Sequence, residues 1–381
     1  MSVASKPAYR ADHVGSLLRP QRLIDAHIAN ASGSLSNEAL AAIEDEAIRD
    51  AVRLQSEIGL DVLSDGEFRR KAWVGDFISK AEGFTRGQAP LKLAWHSAGT
   101  GPRPPGAEAV PMPTGNVITG KVRRKGRFTL SEAGFLRACS EGRPYKITIP
   151  AASYIVARAF DPQQTLKVYS SRAEVLADVA AAIREEIAAL VEDGVPYIQI
   201  DNPHYPDYLM ESIVSQWRAM GIDPETALRE DIEADNACLE GIDRSRTTFG
   251  MHFCRGNGGA AGWHSEGSYE PIAAECFQGL AYDRLLLEYD SERAGGFEPL
   301  RFIGQKTTVV LGLITTKAGD LEPADAVRRR IDAAARYVPL DRLALSPQCG
   351  FASVLQGNPL TAQEQRRKLE LVVSLARQVW N

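Results

Sequence analysis

The sequence predicts a (βα)8 barrel, the TIM-barrel fold of the α/β class. Eight short apolar runs alternate with longer helical patterns along the 381 residues. Most of the runs are near-continuous rather than alternating, which is typical of parallel strands buried on both faces. Polar and ionisable residues recur at the C-terminal ends of these runs, and a barrel builds its active site at that end.

The predicted elements follow this order along the chain. The strands are residues 11–16, 61–67, 146–152, 197–203, 247–254, 284–290, 307–314 and 342–349. Helices are predicted over residues 35–59, 172–194, 224–241, 323–336 and 361–380. The first of these helices has Ser36 as its N-cap and ends at Gly59, which are ordinary start and stop signals.

One stretch interrupts the alternation of strands and helices. Residues 85–145 are rich in Gly, Pro and basic residues, and the segment TGNVITGKVRRKGRFTL (114–130) predicts a β-hairpin. We interpret the stretch as an insertion after the second strand of a single catalytic domain spanning residues 1–381. It either shapes substrate access at the barrel mouth or elaborates the surface without a catalytic role.

Composition excludes several classes of protein. A net charge of −5 and a pI near 5.8 argue against a nucleic-acid partner, which would require a basic face. No run approaches the ~18 apolar residues of a membrane span. The N-terminus lacks the apolar core of a secretory signal, and five scattered cysteines do not resemble a disulfide framework. These features predict a cytoplasmic protein with no membrane partner.

A candidate metal site emerges from four strand-end residues. His252 and Cys254 point to the same side of one strand, because side chains repeat every two residues. Glu288 and Cys349 end two later strands. One imidazole, two thiolates and one carboxylate suit Zn²⁺ in a tetrahedral site.

Each of these residues also has a purely structural interpretation. Cys254 and Cys349 could be packed thiols, and Glu288 could pair with Arg293. The remaining cysteines are interpreted as structural: Cys139, Cys238 and Cys276. Three histidines are interpreted as surface or loop residues: His27, His96 and His264. Convergence of the four candidates at one barrel mouth favours the metal site.

The donor set indicates sulfur chemistry. A zinc ion with three anionic ligands is a weak Lewis acid for water, but it can bind a substrate thiol and hold it as the reactive thiolate. We assign Glu288 a catalytic role as the weak ligand that the substrate sulfur displaces. The expected reaction is alkyl transfer to a thiol, and hydrolysis is the competing interpretation.

Three further residues fit a thiol substrate that is an amino acid. Glu67 and Asp201 can accept hydrogen bonds from an ammonium group, and Ser16 can donate to a carboxylate. The alternatives are a salt bridge from Glu67 to Arg69 or Arg70, and a turn-capping role for Asp201.

The sequence resembles the C-terminal catalytic barrel of cobalamin-independent methionine synthase, and in particular its short single-barrel homologues. The matching stretches span nearly the whole chain in family order: HVGSLLRP (13–20), DVLSDGEFRR (61–70), IQIDNP (198–203), HFCRGN (252–257), LLLEYDSERAG (285–295), VVLGLITTK (309–317) and SPQCGF (346–351).

This resemblance implies a zinc ion on His252, Cys254, Glu288 and Cys349, with homocysteine as the methyl acceptor. It also implies that homocysteine is held by Ser16, Glu67 and Asp201. We add Arg19 to these predicted substrate-binding residues. The methyl donor is expected to be 5-methyltetrahydrofolate or a corrinoid-bound methyl group, and the product methionine.

Three departures from the family pattern bear on the donor. The N-terminal barrel of the full-length enzymes is missing from this sequence. The family's proton-donating histidine after the seventh strand has no counterpart in GLITTKAGD (312–320), where Thr315 or Thr316 stands near its position. Asn202 replaces an acidic residue, and His204 is the candidate replacement proton donor.

Two other functions compete. One is a related zinc thiol alkyltransferase that joins coenzyme M to epoxides, for which Arg19 or Arg69 would have to bind a sulfonate. The other is a non-catalytic barrel with a structural zinc, although structural zinc sites usually lie in small closed loops.

Overall fold

The computed structural model describes residues 8–70, 74–96, 115–258 and 262–380. Its centre is a six-stranded parallel sheet in which consecutive strands are neighbours. The strands are β3 Lys146–Pro150, β4 Tyr197–Asp201, β5 Thr248–Phe253, β6 Arg284–Glu288, β7 Thr308–Ile314 and β8 Leu343–Pro347. All but a few of their residues are buried, as the near-continuous apolar runs predict.

Two N-terminal segments continue this sheet around to its other edge. Ala11 forms a parallel bridge with Leu345 of β8, and Leu63 forms one with Tyr145, just before β3. The amide of Asp61 donates to the carbonyl of Ala11 over 3.1 Å, which joins the two segments to each other. The predicted barrel is confirmed, with its first two strands reduced to isolated bridges.

The second of these segments is short because its backbone turns early. Glu67 has φ of 58°, in the left-handed region that non-glycine residues rarely adopt. Its amide donates to Asp65 Oδ1 over 2.9 Å, which holds the turn. The turn ends the strand, and the Glu67 carboxylate lies beside Thr148 of β3.

Helices connect the strands and cover the outside of the barrel. They are α1 Gln21–Ala31, α2 Asn37–Ile58, α3 Gly75–Ser79, α4 Leu130–Cys139, α5 Ala152–Ala159, α6 Pro162–Thr165, α7 Arg172–Glu192, α8 Glu211–Ala219, α9 Pro224–Ala237, α10 Glu270–Gly279, α11 Ala324–Ala334 and α12 Ala362–Trp380. The five predicted helices correspond to α2, α7, α9, α11 and α12. The Ser36 hydroxyl caps α2 by accepting from the Ala39 amide.

The predicted hairpin within residues 114–130 is wrong in its pairing. That stretch supplies one strand, β2 Gly115–Arg124, whose antiparallel partner is the upstream strand β1 Ala81–Gly87. The apolar alternation of β2 identifies a strand but not its partner, which tertiary packing selects. The Val122 amide donates to the hydroxyl of Tyr169 over 2.6 Å, and Arg124 pairs with Glu186 of α7 over 2.6 Å. The small sheet therefore lies against the helical layer.

A segment after β1 reaches the C-terminal side of the barrel. His96 and Trp263 form an antiparallel bridge with backbone hydrogen bonds of 2.7 and 2.9 Å. Trp263 lies in the connection between β5 and α10. The division into one domain with an insertion over residues 85–145 stays a prediction. Among the described residues, no helix is both long and apolar enough to span a bilayer.

Candidate metal centre and active site

Four predicted metal ligands come together at the C-terminal ends of three strands. His252 lies in β5 and Cys254 directly follows it, Glu288 is the last residue of β6, and Cys349 follows β8 by two residues. One ligand atom from each lies within 4.8 Å of the others. Parallel strands in a barrel place their C-terminal ends at one mouth, which brings together residues almost 100 positions apart.

The two sulfur atoms already have a spacing that a metal ion requires. Cys254 Sγ and Cys349 Sγ lie 3.5 Å apart. Two thiolates at ~2.3 Å from one tetrahedral zinc would be separated by about 3.8 Å. Cys349 is buried and Cys254 is partly exposed, so Cys254 lies on the solvent side of the pair.

The imidazole of His252 is oriented as a metal ligand. Its Nδ1 lies 3.4 Å from the carbonyl oxygen of Leu286, which fixes the ring and favours a proton on Nδ1. Its Nε2 is buried and has no hydrogen-bond partner among the described residues. A buried nitrogen without a partner is costly, and a cation among the other three ligands would satisfy it.

Crowded ionisable groups change each other's proton affinity. Burial and the neighbouring sulfur of Cys349 raise the pKa of Glu288 to about 7. Burial by itself would lower the pKa of His252, but the nearby sulfur of Cys349 and its charge raise it to about 9. The contact between the sulfurs raises the pKa of Cys254 and lowers the pKa of Cys349. Three of these groups thus bind protons more tightly than usual and Cys349 less tightly, and a bound cation would displace the protons that remain.

Fixed positive charges border the cluster. Arg293 Nη2 lies 3.5 Å from Glu288 Oε2 and 2.5 Å from Asp290. The guanidinium of Arg255 is fully buried and stacks over Tyr269 at 4.2 Å. The amide of the same arginine donates to Glu288 Oε1 over 2.8 Å. These cations offset the excess negative charge that two thiolates and a carboxylate leave on a divalent ion.

The predicted substrate residue Ser16 lies next to the metal cluster. Its Oγ accepts a hydrogen bond from the Ala352 amide over 3.3 Å. A Cβ on Gly350 would lie only 1.9 Å from that Oγ, so the residue after Cys349 has to be glycine. Ser16 therefore packs against the backbone of the residue that follows the predicted ligand Cys349.

Asp201 and Glu67 lie at the same mouth. Asp201 pairs in register with His252 across β4 and β5. The Nε2 of Gln199 donates to Asp201 Oδ1 over 2.7 Å, and burial raises the pKa of that carboxyl to about 7. Glu67 Oε1 accepts from the Thr148 hydroxyl over 2.9 Å.

The alternative roles for these two acids are not what the contacts favour. The turn after β4 is capped by Asn202, whose Oδ1 accepts from the His204 amide over 2.9 Å. Arg70 lies 3.7 Å from Glu67 but 2.8 Å from Glu132, which is its closer carboxylate partner. Both acids therefore keep carboxylate oxygens that a substrate ammonium could approach.

Arg19 is placed differently from the prediction. Its guanidinium donates to the carbonyls of Glu67 and Arg70 over 2.8 and 2.9 Å, and to those of Ala352 and Val354 over 3.2 Å. Its nitrogen donors are used to hold two mouth loops together, so Arg19 supports the site from behind instead of contacting a substrate.

His204 is also placed differently from the prediction. Its Nδ1 lies 3.1 Å from Asp207 and its Nε2 2.8 Å from Asp231, and the ring is buried against Trp217. Burial by itself would lower the pKa of His204, but the carboxylates of Asp231 and Asp207 raise it above its usual value. With both ring nitrogens paired to carboxylates, His204 belongs to a buried ion network and has no nitrogen left for a substrate.

Sequence reasoning missed the burial of three residues. His264, interpreted above as a surface or loop histidine, is 3% exposed and lies beside Asp207 and Ser265. His27 is also buried, contrary to its interpretation as a surface or loop residue, and its Nε2 lies 2.9 Å from the carbonyl oxygen of Phe68. Lys317 extends from the end of β7 to the carbonyl oxygens of Gly256 and Gly262 over 3.0 and 3.2 Å. No local pattern marks these residues, because their partners come from distant segments.

The two threonines after β7, which stand near the position of the family's proton-donating histidine, make contacts within their loop. The Thr316 hydroxyl donates to the Gly350 carbonyl over 3.1 Å, and Thr315 Oγ1 accepts from the Lys317 amide over 3.2 Å. Both hydroxyls stabilise the loop.

Comparison with known proteins agrees with this geometry. Residues 12–378 match the family described as the catalytic domain of cobalamin-independent synthase. The chain belongs to this family. It is 37% identical to the protein YxjH of Bacillus subtilis (strain 168) over 377 residues, which cover 98% of this chain and 96% of YxjH.

Two more relatives show how far the likeness extends. A candidate vitamin-B12 independent methionine synthase from Listeria monocytogenes has a solved structure with a TM-score of 0.75 and 28% identity, covering 99% of both chains. The 5-methyltetrahydropteroyltriglutamate–homocysteine methyltransferase of Thermotoga petrophila is 31% identical over 205 residues, which are 52% of this chain and 24% of that enzyme.

Family membership fixes the general class of reaction. Relatives of this chain are named methionine synthases and methyltransferases, so the chain is a methyltransferase-type enzyme of methionine biosynthesis. The resemblance inferred from the motifs is confirmed, and so is the similarity to 5-methyltetrahydropteroyltriglutamate–homocysteine methyltransferases.

Proposed function

We propose that the protein is a zinc enzyme that transfers a methyl group from a 5-methyltetrahydropteroyl donor to the thiol of homocysteine, giving methionine. The observation that carries this proposal is the set of His252, Cys254, Glu288 and Cys349, whose ligand atoms lie within 4.8 Å of one another at the barrel mouth. The unpartnered Nε2 of His252 within this set supports a resident cation.

Zinc is the cation that this donor set fits best. Two thiolates, an imidazole and a carboxylate are a common zinc combination and a poor one for magnesium or calcium. When bound, zinc would lower the pKa of the homocysteine thiol and keep its sulfur nucleophilic near neutral pH. Glu288 is the weakest of the four donors and lies 3.5 Å from Arg293, which can receive its carboxylate when a substrate sulfur arrives.

The amino-acid part of homocysteine is assigned to three residues. Glu67 and Asp201 would accept hydrogen bonds from its ammonium group, and Ser16 would donate to its carboxylate. Ser16 lies against Gly350 and Asp201 pairs with His252, so both residues adjoin metal-ligand segments, which supports this assignment.

The competing functions find less support. A coenzyme M sulfonate would require a free cation, but Arg19 holds backbone carbonyls and Arg69 pairs with Glu44 and Asp45 over 3.2 and 2.6 Å. A structural zinc site would be closed, whereas Cys254 is partly exposed at a barrel mouth. The cytoplasm, with its reducing conditions, is the proposed location because it would keep both ligand thiols reduced.

The test is a methyl-transfer assay of the zinc-loaded protein with homocysteine. The donors are 5-methyltetrahydrofolate as mono- and triglutamate, methylcobalamin and S-methylmethionine, and methionine is quantified by mass spectrometry. Methionine from the folate donors supports the proposal. Methionine formed from methylcobalamin alone would support homocysteine as the acceptor but overturn the folate as the donor. If no donor yields methionine, the proposed function is overturned. A Cys254→Ala variant, unable to hold the metal, is the matched control.

A further inference from the structure

The buried histidine His264 has the geometry of an oriented proton carrier. Its Nδ1 lies 2.8 Å from the Ser265 hydroxyl and 3.3 Å from Asp207 Oδ1. Trp95 packs edge-on against the ring, with centroids 5.1 Å apart. The ring therefore has one fixed orientation, with Nδ1 directed to a carboxylate.

Asp207 remains ionised beside this ring. Burial opposes ionisation, but Arg158, whose Nη2 lies 2.6 Å from Asp207 Oδ2, keeps the pKa of Asp207 well below its usual range. A carboxylate next to an imidazole nitrogen fixes the tautomer, with the proton on the nitrogen that faces it. His264 then carries its proton on Nδ1 and a lone pair on Nε2.

The opposite edge of the ring faces the loop that carries the metal ligands. A Cβ on Gly256 would lie 2.6 Å from His264 Cδ2 and 3.2 Å from its Nε2. Gly256 has φ of +101°, and its amide lies 3.4 Å from the sulfur of Cys254. Only one glycine separates the Nε2 edge from a ligand sulfur, and Nε2 has no hydrogen-bond partner among the described residues.

The charges around His264 favour its neutral form. Burial lowers the pKa of His264, the carboxylate of Asp207 opposes that effect, and the cations Arg158 and Lys317 reinforce it. A neutral imidazole with a lone pair on Nε2 can accept a proton. It is also a proton donor once it has accepted one.

The proposed reaction requires such a group. The homocysteine thiol loses its proton, the sulfur forms a bond to the methyl carbon, and the bond from that carbon to the pteridine nitrogen breaks. The nitrogen leaves as a neutral amine only if it gains a proton, and no net proton, oxidant or reductant enters. The thiol proton is therefore the one that the leaving nitrogen needs.

We propose that His264, positioned by Asp207, accepts the homocysteine thiol proton at Nε2 and returns it to the leaving nitrogen of the methyl donor. This inference rests on the proposed function. It supplies the proton donor that the region after β7 lacks, from the connection between β5 and α10. Asp207, Ser265 and Gly256 act as positioning residues that direct the ring.

The first readout is homocysteine binding without turnover. Titration calorimetry of the zinc-loaded protein is run near pH 7 for the wild type and for a His264→Gln variant. The variant is expected to bind homocysteine with the affinity of the wild type, because the metal ligands and the proposed substrate-binding residues are unchanged.

A second readout is the rate of methyl transfer from 5-methyltetrahydrofolate. His264→Gln is expected to lower the rate by ~10²–10⁴-fold with unchanged zinc content, the range for loss of a general acid–base group. His96→Gln is the matched control at the same mouth, since the main chain of His96 makes its bridge to Trp263. It should leave both readouts unchanged.

The outcomes separate the two proposals. A folded, zinc-loaded His264→Gln variant that transfers the methyl group at the wild-type rate overturns the role of His264. A parallel loss of homocysteine binding and of rate would assign His264 a structural role and overturns it as well. His264→Asn is the second variant, measured in the same way if His264→Gln does not fold. An absence of any homocysteine binding to the wild-type zinc protein would instead overturn the proposed function.

Discussion

The sulfur atoms of Cys254 and Cys349 lie 3.5 Å apart, although 95 positions separate the two residues along the chain. Cys254 follows β5 and Cys349 follows β8, two strands that are not neighbours in the sheet. The barrel curvature brings their ends together across the mouth. Because this pair depends on the complete barrel, it links the metal chemistry directly to the fold.

Replacement of Cys349 by alanine should remove zinc without unfolding the barrel. Only three zinc ligands would remain. The affinity for zinc should therefore fall by more than the roughly 10–100-fold that follows the loss of a residue hydrogen-bonded to a ligand. Zinc is measured by inductively coupled plasma mass spectrometry, and the melting temperature should match that of chelator-treated wild type. Cys238→Ala is the control, since this buried cysteine lies outside the cluster and its variant should retain zinc. A Cys349→Ala variant that is unfolded would indicate a structural metal.

Removal of the metal should make the two ligand thiols vulnerable to oxidation. Sulfur atoms 3.5 Å apart need to approach by only ~1.5 Å to form a disulfide of about 2.05 Å. Mild oxidant applied to chelator-treated protein is expected to join Cys254 to Cys349, as detected by peptide mapping, whereas zinc-loaded protein should keep both thiols. Equal cross-linking with and without zinc would argue that the sulfurs are not metal ligands.

Gly350→Ala should weaken homocysteine binding while leaving the metal in place. The added Cβ would lie 1.9 Å from Ser16 Oγ and would displace that hydroxyl from its position. Loss of one hydrogen bond to a charged carboxylate costs about 1.5–3 kcal/mol, so KM for homocysteine should rise by roughly 10–100-fold.

Gly134→Ala is the matched control for that substitution. Gly134 lies on the exposed side of α4 with open space around its Cα, so an added methyl group meets nothing. It should leave KM unchanged and raise helix stability by roughly 0.8–1 kcal/mol. An unchanged KM in Gly350→Ala as well would remove Ser16 from the substrate site.

The stability contribution of His204 should decrease with rising pH. Asp231 and Asp207 raise the pKa of His204 against the effect of burial, so the folded state binds a proton more tightly than the unfolded state, whose pKa is about 6.5. This stabilisation is fully present below that value and is lost as pH rises through the raised pKa. Urea unfolding of wild type and His204→Gln at saturating zinc should show a free-energy difference that narrows toward alkaline pH. A difference that is constant with pH would mean that His204 is neutral in the fold.

Much of this protein follows from local sequence patterns. The near-continuous apolar runs identify β3 to β8, because burial on both faces of a strand leaves no solvent face for polar residues. The position of His252 and Cys254 at the end of such a run predicts their convergence with Glu288 and Cys349, because parallel strands end at the same mouth. These inferences need only the period of the strand and the geometry of the barrel.

Other features were decided by contacts between distant segments. The partner of β2 is β1 instead of a strand within residues 114–130, because the residues that align two strands are chosen by what they pack against. Arg19 and His204 look free in the sequence, yet backbone carbonyls and buried carboxylates take up their nitrogen donors. His264 lies in a loop, but Asp207 and Trp95 enclose it there. A side chain's hydrogen-bond partners depend on which segments approach it, and that approach is a property of the folded chain alone.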